Sequence, residues 1–152
     1  MSRTRAILLL AAAMLAAYVA ASSLIVTDTK RVRRVMEKGR RAIVRRDLNG
    51  LMSIIDPTYE DDFGFNHERL RSWFQVQFRT YDSVVCRIPL MSVNVNRQEA
   101  VCSLAFWFAG FRSGGRAAPD GEGLDDFPVY QDRLVVHLNR FPEGWLITGA
   151  EP

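Results

Sequence analysis

The stretch SVVCRIPLMSVNVNRQEAVCSLAFWFAGF, residues 83–111, decides the fold. Apolar residues recur through it with period two, the repeat of a strand, and its two halves read as strands Val84–Asn96 and Glu99–Phe111. Arg97 and Gln98 between them suit a two-residue hairpin turn, which sets the register. Asn96 then faces Glu99, Val95 faces Ala100, Val93 faces Cys102 and Met91 faces Leu104. One face carries Met91, Val93, Cys102, Leu104, Phe106 and Phe108; the other carries Ile88, Leu90, Ala105 and Trp107. Both faces are apolar. A sheet with helices on one side needs only one such face, so the second, around Leu90, Ala105 and Trp107, is expected to meet a partner, commonly another copy of the chain as a homodimer. In this register Cys86 faces Ala109, roughly 23 Å along the strand from Cys102 at 3.3 Å per residue, so no disulfide joins the two cysteines.

Downstream, Val129–Asn139 and Trp145–Ala150 read as two further strands. Residues 112–127, RSGGRAAPDGEGLDDF, are too long and too rich in Gly, Pro and acids for an ordinary hairpin connection, and are expected to be a flexible insertion or a lid. Upstream the period becomes helical. Val32, Val35, Met36, Gly39, Ile43 and Val44 make one amphipathic helix between Asp28 and Asp47. Asp47 or Asn49 caps a short second helix carrying Leu51, Met52, Ile54 and Ile55, which Pro57 ends. After an acidic loop, DPTYEDDFG at 56–64, Asn66 caps a third helix with Leu70, Trp73, Phe74 and Phe78 on one wide face. The expected class is α+β, three helices and then an antiparallel sheet.

The chain has 152 residues, 48% hydrophobic and 24% charged, which is the composition of a folded protein. Its net charge of +3 is unevenly spread. Nine Lys/Arg against Glu37 alone give residues 30–46 a charge of +8, and residues 47–152 carry −6. An acidic domain is a poor match for phosphates, so no nucleic-acid partner is expected. The basic stretch follows a hydrophobic segment, where anionic lipid headgroups would attract it; the plainer reading is a solvated helix face. His67 and His137 stand alone without metal-ligand spacing, and no metal or cofactor is expected.

Arg3 and Arg5 precede the uncharged run AILLLAAAMLAAYVAASSLIVT, residues 6–27. Its 21 apolar or small residues at 1.5 Å each span about 30 Å, the thickness of a hydrocarbon core. Residues 1–27 are therefore expected to be a membrane anchor, or else a signal peptide cut near Val19–Ser22, with 28–152 as one domain. An N-terminal signal of this kind points to a single-pass protein of a bacterial inner membrane with a periplasmic domain. The seven Lys/Arg from Lys30 to Arg41 argue for the opposite orientation.

Two motifs carry a resemblance: RRDLNGLMSIIDPTYEDD at 45–62, a helix end running into a short helix and a Pro-Thr-Tyr turn, and EGWLITGAEP at 143–152. With the element order, they make residues 30–152 resemble the nuclear transport factor 2-like superfamily. The resemblance implies a cystatin-like cone, a curved sheet with helices packed on it. It says little about activity, because the superfamily includes isomerases, cyclases, dehydratases, secretion-system parts and non-enzymatic binders. Enzymes of the ketosteroid isomerase and polyketide cyclase kind hold an Asp or His base beside a polarising acid or tyrosine. Here the resemblance offers Asp56 and Tyr59 near the cone mouth, His67, His137 and Asp132. Asp56 before Pro57 also suits a helix-ending turn, and His137, alternating with Leu134, Val136 and Leu138, points away from the cone if those point in. Trp73, Phe74, Phe78, Phe106 and Phe108 either line a cavity or fill it. The expected function is a membrane-tethered, non-enzymatic binding domain for a protein partner or a small apolar ligand; the alternative is an isomerase or cyclase.

Overall fold

The computed structural model describes residues 13–14, 27–112 and 129–152. The predicted membrane segment, 1–27, and the predicted insertion, 112–127, lie outside these apart from residues 13, 14, 27 and 112. Among the described residues no helix is long and apolar enough to cross a membrane.

Helix α1 (Asp28–Val44) starts at the Thr27 cap, whose hydroxyl accepts from Lys30 N. It buries Val32, Met36, Gly39, Ala42 and Ile43, one stripe at helical spacing. Its end is over-determined. Arg46 sits at φ 55°, in the left-handed region, with Arg46 N donating to Ile43 O and Asp47 N to Ala42 O, the paired bonds of a Schellman turn. The Arg46 guanidinium then donates to the Tyr81 and Phe78 carbonyls at the end of the third helix, so a non-glycine residue is held there by bonds at both ends. Asp47, as expected, caps α2 (Leu48–Met52), and Asn66 caps α3 (His67–Thr80).

The sheet is antiparallel: β1 (Ser83–Arg87) and β2 (Met91–Asn96) lie along one edge of β3 (Glu99–Phe111), followed by β4 (Val129–Phe141) and β5 (Gly144–Glu151). The hairpin register is the one expected, from Asn96 opposite Glu99 to Met91 opposite Leu104. The expected single strand Val84–Asn96 is two strands. Pro89 cannot donate to the ladder, and after the break Cys86 faces Phe108 instead of Ala109. The shift turns Ile88, expected on the outer face, inward against the cluster that holds Met36, Cys102 and Leu104. Both cysteines are free and buried. Bulges at Leu104/Phe106 and His137/Leu138 bend β3 and β4 into the wall of a cone.

The segment after α2 closes the far edge of the sheet. Ile147 N donates to Ile54 O, Asp56 N to Ile147 O, Glu60 N to Thr148 O and Asp62 N to Ala150 O, so residues 54–62 run along β5 like a frayed extra strand. Gly149 permits the approach: a β-carbon there would lie 2.8 Å from Glu60 O.

The interior divides into two apolar clusters. One holds Val32, Met36, Ala100, Cys102, Leu138 and Trp145 under α1; the other holds Ile43, Leu51, Ile54, Tyr59, Phe74, Phe78 and Phe108 under α2 and α3.

Candidate functional site

The second cluster does not close. A cavity of about 420 Å³ opens inside it, bounded by Ile43 of α1, Leu51 and Ile54 around α2, Trp73 and Phe74 of α3, Phe106 of β3, Leu134 and Val136 of β4 and Ile147 and Ala150 of β5. The size falls within the usual range for small-molecule sites. Aromatic rings hold it open. Trp73 stands edge-on to Phe74 with centroids 4.9 Å apart and leans on Phe65 at 6.3 Å and Phe108 at 6.0 Å, while Phe106 lies nearly parallel to Phe108. Such rings pack well against each other at these distances but do not interdigitate like branched aliphatic chains, and space remains between them.

Four polar side chains reach the wall: Tyr59, Asp61, Arg40 and Cys86. The Tyr59 hydroxyl donates to Asp61 Oδ2 at 2.6 Å, and the other Asp61 oxygen accepts from Phe63 N at 3.0 Å and Phe65 N at 2.8 Å. Asp61 thereby folds the turn that carries Phe63 and Phe65 to the cavity mouth. Burial, with the Asp61 hydrogen bond added, raises the Tyr59 hydroxyl well above the ordinary phenol range. Tyr59 is thus a neutral donor whose oxygen keeps a lone pair for a ligand. With three donors already on it, Asp61 has little capacity left to abstract a proton.

At the opposite end, Arg40 Nε and Nη2 grip both oxygens of Glu37 at 2.8 and 2.7 Å. The Arg40 fork, with lesser help from Arg41, draws the Glu37 carboxyl down to about 2. Burial pushes the Cys86 thiol up to about 12 and Cys102 to about 11, so neither is a thiolate nucleophile near neutral pH.

Of the residues singled out in the sequence, Tyr59, Trp73, Phe74 and Phe106 line the cavity, and Phe78 and Phe108 lie behind its wall. Asp56 is not on the wall. It is buried, but its Oδ1 accepts from the Thr58 amide and hydroxyl, and its carbonyl from Tyr59 N, as the turn residue that its place before Pro57 allowed. His67 opens α3 and is absent from the wall, and His137 faces out to Glu151 at 3.1 Å. The Asp132 side chain lies outside the described residues. Sequence reasoning missed Asp61, Arg40 and Cys86. Only the Asx-turn signature of Asp61 before Gly64 was there to find. On the other side of the sheet Leu90 is 73% exposed, Ala105 and Trp107 are half-buried, and the Arg87 guanidinium lies over the Trp107 ring. Among the described residues no group of three or more His, Cys, Asp or Glu is arranged to hold a metal ion.

This arrangement of helices on a bent antiparallel sheet recurs in solved structures. A nuclear transport factor 2-like protein with a cystatin-like fold from Novosphingobium aromaticivorans superposes with a TM-score of 0.62 at 15% identity, over 88% of this chain and 85% of that one. The chain has the nuclear transport factor 2-like fold. A provisionally named scytalone dehydratase from the same organism matches with a TM-score of 0.65 at 12% identity, over 80% of each chain. Bd1075 of Bdellovibrio bacteriovorus gives 0.63 at 12% identity over 79% of this chain, which spans only 39% of its length. No family model and no curated protein matches the sequence. Such low identities carry the nuclear transport factor 2-like architecture and leave the chemistry to the site itself.

Proposed function

We propose that this is a membrane-tethered, non-enzymatic binding domain whose cone takes a small apolar ligand. The observation that carries the reading is the cavity of about 420 Å³, walled by aliphatic and aromatic side chains with the Tyr59 oxygen as its available hydrogen-bond acceptor. A ligand there is held by burial of its carbon skeleton and oriented by one donor group at the Tyr59 oxygen. The tether is the apolar run from Ala6 to Val26.

The test uses the full chain in lipid nanodiscs and the uncharged fluorophore N-phenyl-1-naphthylamine, read by energy transfer from Trp73. Saturable transfer is expected, reduced in Trp73→Phe, which leaves Trp107 and Trp145 as more distant donors, and lost in Ala150→Phe, which fills the cavity. Transfer that rises without saturation and is the same in Ala150→Phe is partition into lipid, and it would end the ligand reading.

The Tyr59 hydroxyl on the cavity wall supports a second reading, an isomerase or cyclase in which Tyr59 turns its proton from Asp61 to a substrate carbonyl and polarises it. Among the described residues it lacks a free base, because Asp56 is used in a turn and neither histidine is on the wall. Protein-dependent deuterium exchange next to the carbonyl of a cyclic ketone, abolished by Tyr59→Phe, would establish it.

A further inference from the structure

Helix α1 has two opposite faces. Val32, Met36, Gly39 and Ile43 are buried against the rest of the domain. Two residues further along the helix from each, a rotation of about 200°, stand Arg34, Lys38, Arg41 and Arg45, all exposed. Lys30 extends the row by one turn, so five cations form a line about 22 Å long at 1.5 Å per residue. With Arg33 added, the row borders a groove of about 550 Å³ between α1 and α2. Local acids do not neutralise it. Asp28 pairs with Arg31 and Arg140, Glu37 is shared by Arg40 and Arg41, and Asp47 caps Gly50. Lys30, Arg33, Arg34, Lys38 and Arg45 are left without an acidic partner among the described residues.

We infer that this cationic row lies on an anionic phospholipid surface. Two observations select the occupant. The helix starts at Thr27–Asp28, one residue after the 21-residue apolar run, so a chain tethered by that run brings α1 to the headgroups. The rest of the domain, at −6, is repelled by the same surface, and the resulting charge asymmetry turns α1 toward the lipid. Because the inference rests on the proposed tether, its test separates the two.

The only lysines of the chain, Lys30 and Lys38, are both in the row, so amine chemistry reports on it directly. The full chain is placed in nanodiscs of phosphatidylcholine alone or mixed with phosphatidylglycerol, and both lysines are followed by mass spectrometry during reductive methylation with formaldehyde and dimethylamine–borane as hydride donor, both uncharged. Labelling is expected to slow by at least about five-fold in the mixed discs, the occupancy factor for each cation near an anionic surface. Recovery is expected at ~0.5 M salt, where the screening length falls to about 4 Å. The triple variant Arg33→Glu, Arg34→Glu, Arg45→Glu should label equally fast in both discs. Equal rates for the natural chain, or slowing that survives in the variant, would overturn the inference while leaving the tether intact. Slowing by an RNA oligomer in phosphatidylcholine discs, with none from phosphatidylglycerol, would assign the row to nucleic acid instead. A chain that does not co-elute with the discs would remove the tether and this inference with it.

Discussion

The two ends of the cone interior are made of similar residues and differ in outcome. Under α1, Val32, Cys102 and Leu138 are 0% exposed and the packing is closed. Under α2 and α3 the same sheet carries Leu104 and Phe106 on its inner side, and the space above them stays open. What differs is the layer above. At the closed end α1 packs Val32 and Met36 into one cluster with small sheet residues, Ala100 and Cys102. At the open end Trp73, Phe74 and Phe78 project from α3, and their rings hold that helix away from the sheet. Side-chain size in the covering helix decides whether an apolar interior becomes a core or a pocket.

The strongest way to break that contrast is a matched pair of truncations. Leu138→Ala removes a side chain surrounded on all sides and is expected to cost about 4 kcal/mol, since the dense wall cannot collapse into the hole. Leu104→Ala removes the same atoms from a position that already borders empty space, and should cost about 2 kcal/mol. Denaturant midpoints of both variants check this. Equal losses would mean that the cavity wall packs as tightly as the closed end.

Much of the closed end could be read in the sequence. The Arg97–Gln98 turn fixed every pair up to Met91–Leu104; beyond that end the Asn66 cap was legible from residue type, and the Asp47 cap as one of two candidates with Asn49. The open end was harder. Because both faces of residues 83–111 are apolar, alternation continued across Pro89 without revealing the break, and Ile88 was assigned to the wrong side. The role of Asp61 depends on residues 54–62 lying along β5, a pairing between segments about 90 residues apart that no local pattern encodes. Arg40 sat in a run of arginines with nothing to mark it as the one that turns inward.

A milder perturbation sharpens the open end. Tyr59→Phe keeps the ring in place and removes one hydrogen bond, so a loss of about 1 kcal/mol is expected near neutral pH, Asp61 retaining its two amide donors. The variant also changes the alkaline limb. The folded Tyr59 hydroxyl holds its proton above the unfolded value of about 10, so its contribution to stability is complete below that pH and is lost as pH rises past it. Tyr59→Phe should decline less steeply there, and an identical decline would show that this hydroxyl is not held by burial.

The smallest effect is expected where the two ends meet. Arg40 reaches the cavity wall while its guanidinium is tied to Glu37 on the surface of α1, so the pair marks the seam between the open interior and the cationic helix. The Glu37 carboxyl, lowered from 4.5 to about 2, stabilises the fold above the unfolded value, and that stabilisation is lost as pH falls from about 5 toward 2. The Glu37 side chain is 40% exposed, so solvent screens most of what the shift implies, and Glu37→Gln should cost no more than about 1 kcal/mol at pH 7. Between pH 5 and 2 the variant should lose less stability than the natural chain, and the two curves should converge near pH 2. If Glu37→Gln instead also admits the naphthylamine probe faster, the pair restrains Arg40 at the cavity wall, and the seam belongs functionally to the open end.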